Sequence, residues 1–156
     1  MFIDIIAVLI LGCLGLAILV YGLLMVKKGL SSKNWPVVSG KVVRAEVIRT
    51  RNSFDKDDRK KYFRPIIAYR YEIKEKEYES KFIIPNEGTK SYSNMTAAEN
   101  LLKDYPLDSS VEVRYNPGDH SDACLVAGVS TFSLVLSAAG AALLLISFIG
   151  LVSILA

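Results

Sequence analysis

Hydrophobic and polar positions along this chain fall into three blocks. Ile5 to Val26 is almost wholly apolar and holds no charged side chain, and from Ala123 to Ala156 there is again no charge. Every Lys and Arg lies between the two apolar stretches. A helix rises about 1.5 Å per residue, so about 20 apolar residues cover the hydrocarbon core of a bilayer. The pattern predicts two transmembrane helices, in segments 1–27 and 127–156, flanking a β-rich soluble domain over 28–126. The second apolar core is expected at Thr131 to Ile154. Core helices of a soluble protein would need a larger body around them than the middle block supplies.

Within the middle block the periodicity changes. Val37 to Ile48 is rich in β-branched residues and predicts a strand broken near Ser39-Gly40. Tyr62 to Ile73 predicts a second strand, with Ile67, Tyr69, Tyr71 and Ile73 on one face. Lys74 to Glu77 reads as a turn and Tyr78 to Ile84 as the returning strand of a hairpin. Thr96 followed by Glu99 has the spacing of a capping box, so a short helix is expected to start there and to stop before Pro106. Val111, Val113 and Tyr115 alternate with Glu112 and Arg114 in a fourth strand. Asn116-Pro117-Gly118 is a turn, and Ala123 to Val126 is a last short strand. The predicted class is an α+β membrane protein: a small five-stranded antiparallel domain with one short helix between two spans. Its element order fits a small barrel of the oligonucleotide-binding type or an open sheet with a helix on it.

Charge then orients the picture. Lys27, Lys28 and Lys33 follow the first span, and nothing basic precedes it or follows the second. The positive-inside bias places the domain in the cytoplasm and both termini outside. The start Met-Phe-Ile-Asp lacks the basic residue of a signal peptide, and the apolar run is long, so the first helix is expected to stay as an anchor. Cys13 and Cys124 are too far apart in this scheme to pair.

Several residues together carry a resemblance. They are Trp35-Pro36-Val37-Val38-Ser39-Gly40-Lys41-Val42, Tyr69-Arg70-Tyr71, Tyr78, Tyr105-Pro106, and Val111-Glu112-Val113-Arg114-Tyr115-Asn116-Pro117. In this order they resemble a bacterial family catalogued as domain of unknown function 3592. The resemblance implies two spans around a β-rich domain, in a bacterial inner (cytoplasmic) membrane, and supplies no catalytic site. The chain departs from the pattern at Lys74-Glu75-Lys76 and at Asp108, where Gly is usual, and at His120, near a usual second Pro.

Candidate chemistry is sparse. His120 with Asp119 and Asp122 is one histidine in a turn, short of a metal site. No nucleophile motif or phosphate-cradling loop is present. Neither enzyme activity nor a cofactor or metal is expected. Phe54, Arg59, Lys60, Lys61, Tyr62 and Phe63 form a basic, aromatic stretch suited to a protein partner or to lipid headgroups. Nucleic acid is not the expected partner. Gly12, Gly15, Gly22, Ser133, Ser137 and Gly140 make small-residue stripes suited to helix packing, within one chain or in a homo-oligomer. The function expected is a membrane-anchored, non-enzymatic accessory protein that binds a protein partner at the membrane surface. An immunity protein neutralising a toxin and a subunit of a larger transport or channel complex remain alternatives.

Overall fold

The computed structural model describes residues 2–50, 61–87 and 89–155. In chain order the elements are α1 (Phe2–Ser31), β1 (Val37–Thr50), β2 (Tyr62–Ile73), β3 (Lys76–Ser80), α2 (Met95–Lys103), β4 (Ser110–Asn116), β5 (Asp119–Cys124) and α3 (Thr131–Leu155). They form two compact units, Met1–Ser31 with Val129–Ala156, and Ser32–Gly128.

The first unit is a helix pair, and α1 and α3 are long and apolar enough to cross a membrane. The helices run antiparallel, with Val8 near Gly150 and Gly22 against Ser137. Small residues permit the close approach. A Cβ on Gly12 would lie 2.7 Å from Ser147 Oγ, and one on Gly15 would lie 3.0 Å from Leu143 Cβ. At Gly140 it would lie 2.7 Å from Leu19 Cα. Ser147 Oγ donates across the pair to Val8 O at 2.8 Å. Large side chains turn outward: Ile10 is 63 % exposed and Phe148 65 %.

The second unit is a five-stranded sheet in the order β3-β2-β1-β4-β5. All four pairings are antiparallel. Tyr69, Tyr71, Ile73, Val113 and Ala123 form the core, with Val38, Tyr78, Val111, Tyr115 and Leu125 packed around them. This is the face that the alternation in Tyr62 to Ile73 specified.

The sheet does not close into a barrel. Its outer strands β3 and β5 face each other through side chains instead of a ladder. Ser80 Oγ donates to Ala123 O at 3.1 Å, and the Tyr69 hydroxyl, 3.1 Å from the same oxygen, shares its single proton between it and Phe82 O. Leu125 N and Val126 N reach Ile83 O only beyond the ends of both strands. Hydroxyls thus bridge the seam where a backbone ladder would run. Strand bounds also differ from the sequence reading. β3 begins at Lys76 because Lys74 and Glu75, at φ 52° and 63°, make a tight two-residue turn. β5 begins at Asp119, immediately after the turn. β1 is unbroken at Gly40, where a Cβ would lie 2.6 Å from Val113 Cγ2. The irregularity comes at Val43 instead, a bulge between the pairs Val42↔Tyr69 and Arg44↔Ala68.

Helix α2 begins one residue before Thr96. Asn94 is its N-cap, and its side chain accepts from Thr96 N at 2.9 Å. Asn94 precedes Thr96 with a side-chain oxygen already in place, so the Thr96–Glu99 capping box is not the start. Ala98 is the fully buried residue of this helix, and Leu101 and Leu102 are half-buried.

Candidate interaction surface

Strands β1 and β2 outrun their neighbours. β4 pairs with β1 only over Val37 to Lys41, and β3 with β2 only over Tyr69 to Ile73. The rest of the β1–β2 ladder, from Arg44↔Ala68 to Thr50↔Tyr62, forms an arm. Bridge Phe63↔Tyr92 braces one side of the arm, with both N–H···O distances 2.8 Å. Thr89 Oγ1 donates to Pro65 O nearby. Val47, Ile48, Phe63 and Ile66 suit a pleated, half-covered ribbon, which is why the sequence extends here without further strands.

Of the six contact candidates, Phe54, Arg59 and Lys60 lie outside the described residues. Lys61 is exposed at the entry to β2. Tyr62 and Phe63 are successive strand residues and therefore point to opposite faces. Phe63 lies under the Arg49 guanidinium, 6.0 Å from the ring centroid, while its backbone bonds Tyr92 at the strand edge. Tyr62 stands beside Thr50 on the other face, with Arg64 and Ile48 next along the ladder. The two rings do not form one aromatic anchor. The helix-packing candidates are all in the first unit, where Gly12, Gly15, Gly22 and Gly140 meet the partner helix as given above. Ser137 Oγ and Ser133 Oγ donate to Ser133 O and Ser130 O, at 2.8 and 2.7 Å.

The outward face of the sheet carries a feature that the strand reading did not single out. Ser39, Lys41, Arg70, Glu72, Glu77, Asp108 and Ser110 line an open groove of about 580 Å³. Lys41 pairs with Asp108 at 2.7 Å, and Arg70 with Glu79 at 3.4 Å and Glu77 at 3.9 Å. These pairs are solvent-exposed and each contributes little, about 0–1 kcal/mol. Like charges face each other across the ladder, Lys41↔Arg70 and Glu72↔Glu77, which weakens the sheet locally. The signal in sequence was the outward phase of the β2 alternation, Arg70 and Glu72.

The inward face is built of tyrosines. Tyr69 Oη donates to Phe82 O at 2.8 Å and Tyr71 Oη to His120 O at 2.7 Å. Burial drives the Tyr69 hydroxyl pKa well above its ordinary value. Burial, followed by the negative charges of Asp122 and Asp119, pushes that of Tyr71 up to about 12. The His120 ring meets Tyr78 and Tyr115 edge to face, at 5.9 and 5.4 Å. Asp119 accepts from Ser121 N at 3.1 Å, and Asp122 from Asn116 Nδ2 at 3.3 Å. These residues are engaged in turn and ring contacts. Among the described residues no three His, Cys, Asp or Glu side chains converge to hold a metal ion.

A family model described as Domain of unknown function (DUF3592) matches residues 38–130. The match covers the β domain and stops short of both apolar helices. Two departures from the family pattern now have a physical setting. Lys74, Glu75 and Asp108 all adopt the left-handed conformation, with φ between 52° and 65°, where glycine is the least strained residue. No curated protein matches the chain significantly.

Proposed function

The chain belongs to the DUF3592 family, and from that premise we propose that it is a membrane-anchored, non-enzymatic interaction protein. Its β domain binds a protein partner at the membrane surface. One observation carries the membrane part: the helix pair turns large apolar side chains outward along its length. Ile6, Leu9, Ile10, Leu14, Val20 and Leu24 of α1 are about half exposed or more, as are Leu134, Leu145, Ile146, Phe148 and Val152 of α3. A soluble protein rarely leaves so continuous an apolar surface in water, whereas lipid tails solvate it.

The binding part is supported by the projecting arm with its basic residues Arg44, Arg49, Lys61 and Arg64. The proposed address is a bacterial inner membrane, with the domain on the side of Lys27 and Lys28 and both termini on the other. The test is alkaline washing of native membranes, followed by a mild-detergent pull-down with mass spectrometry. Retention in the washed membrane and one stoichiometric partner are expected. Release by the wash would refute the anchor, and absence of any stoichiometric partner would refute the interaction role.

A further inference from the structure

Beyond the end of β3 the outward face of β2 lies at the bottom of a trough. β3 stops at Ser80, opposite Tyr69, while β2 reaches back to Tyr62. Alternation puts Arg64, Ile66 and Ala68 on the outward side, with Arg44 opposite Ala68 across the ladder. Lys81 and Phe82, which leave β3, form the other bank. Two adjoining cavities share Ile66 and Lys81. One, of about 210 Å³, is lined by Arg64, Ile66, Ile67, Lys81 and Thr89. The other, of about 300 Å³, continues over Ile66, Ala68 and Phe82 to Arg44 and Glu79.

The two ends differ in charge. At the Arg44 end the charges are balanced: Arg44 Nε donates to Glu46 Oε1 at 2.6 Å, and Glu79 pairs with Arg70 at 3.4 Å. No carboxylate lines the other cavity. There Arg64 Nε donates to the neutral Ser91 hydroxyl at 3.3 Å, and Lys81 has neither hydrogen bond nor ion pair among the described residues. Two cations thus flank one cavity with no anion between them.

We propose that this trough receives an extended segment of the protein partner, with a carboxylate side chain between Arg64 and Lys81 and an apolar side chain two residues away on Ile66, Ala68 and Phe82. The inference states the chemistry of the contact for the interaction role above and rests on that role. Charge complementarity selects the acid. The bed selects an extended segment, because Arg64, Ile66 and Ala68 recur at every second residue, about 6–7 Å apart, as same-face side chains of another strand-like chain do. Side chains carry the contact, since the nearby edge of β2 at Phe63 and Pro65 is already taken by Tyr92 and Thr89. An anionic lipid fits less well. Its acyl chain, leaving a headgroup at Lys81, would run across the charged Arg44–Glu79 end.

The test uses the full chain in native membranes. A carbodiimide joins an amine only to a carboxylate that it touches, so it reads the contact directly. Lys81 is expected to form an amide with an Asp or Glu of a second protein, and the linked segment to carry an apolar residue two positions from that acid. Lys103, on α2 and bonded to Asn100, is not expected to link to the same acid. Arg64→Glu with Lys81→Glu should lower recovery of that protein in a mild-detergent pull-down about tenfold. Changing the linked acid of the partner to Lys should restore it. Arg64 and Lys81 are exposed, so the variant should fold, which circular dichroism checks. A Lys81 product with a carboxylate of the same chain, a partner held equally well by R64E/K81E, or loss of phospholipid phosphate instead of the partner from that variant would each overturn the inference and leave the interaction role standing. Absence of any stoichiometric partner from the unmodified chain would sink the interaction role, and this inference with it.

Discussion

Tyr69→Phe isolates what the hydroxyl bridges contribute to the domain. Tyr69 is fully buried, and its hydroxyl lies 2.8 Å from Phe82 O and 3.1 Å from Ala123 O. Phenylalanine keeps the ring and removes only that donor. Ala123 O retains Ser80 Oγ at 3.1 Å, so the loss falls mainly on Phe82 O. A carbonyl left without its partner in a partly buried site costs about 1–2 kcal/mol. For a domain of roughly 100 residues that is a fall of about 5–10 °C in melting temperature. Trp35 is the only tryptophan and is buried in the domain. Its fluorescence, followed through a thermal melt of the whole chain in detergent, reports this unit. Tyr69→Phe with Ser80→Ala strips both hydroxyls from Ala123 O and should cost at least about 0.5 kcal/mol more than the two changes summed. Tyr78 is held by ring contacts, 5.8 Å from Tyr71 and 5.9 Å from His120, so Tyr78→Phe should cost under about 0.5 kcal/mol. Equal effects of Tyr69→Phe and Tyr78→Phe would refute the reasoning.

Other consequences are open to test with the same chain. The folded Tyr71 hydroxyl titrates near 12 against 10.0 for a free tyrosine, so the fold favours the protonated form. Its contribution is complete below pH 10 and disappears as pH rises through about 12; absorbance at 295 nm should show late tyrosines ionising together with loss of the Trp35 signal. Replacing Lys74-Glu75 by Asn-Gly relieves two left-handed positions and should raise stability by about 1 kcal/mol in denaturant melts. Gly140→Ala would drive a methyl into the Leu19 backbone. It should weaken the helix pair by about 1–3 kcal/mol, read as a lower midpoint in dodecyl sulfate titrations, while Gly118→Ala, with nearest contact at 3.5 Å, should leave that midpoint unchanged.

The legible parts of this chain were those governed by a single period. The two long apolar helices and the β2 face of Ile67, Tyr69, Tyr71 and Ile73 follow from hydrophobic patterning alone. β1 was harder. Gly40 looks like a break, but it serves as the point where Val113 approaches closely. The real irregularity sits at Val43, whose β-branched side chain carries no local sign of a bulge. Helix α2 was placed correctly and its first turn was not, because Asn94 and Thr96 are both competent caps and only the backbone path chooses between them. The open seam between β3 and β5 depends on hydroxyls of Ser80 and Tyr69 meeting Ala123 across the sheet, a long-range fact that no window of sequence contains. The arm surface was partly read: the basic stretch was visible, but the opposed directions of Tyr62 and Phe63 required the register with β1.

The glycine-lined contact between α1 and α3 also limits what a third helix can do. Gly12, Gly15, Gly22 and Gly140 are spent on each other's helix, and the outward surface left behind is mostly Leu, Ile, Val and Phe, interrupted by the exposed Ala138, Ala139 and Ala142. A further helix resting on the bulky ridges would keep an ordinary interaxial spacing of about 8–10 Å, and a closer backbone approach is left only beside the exposed alanines. Over most of its outward surface, neighbours in the plane of a bilayer would meet a greasy, weakly selective wall.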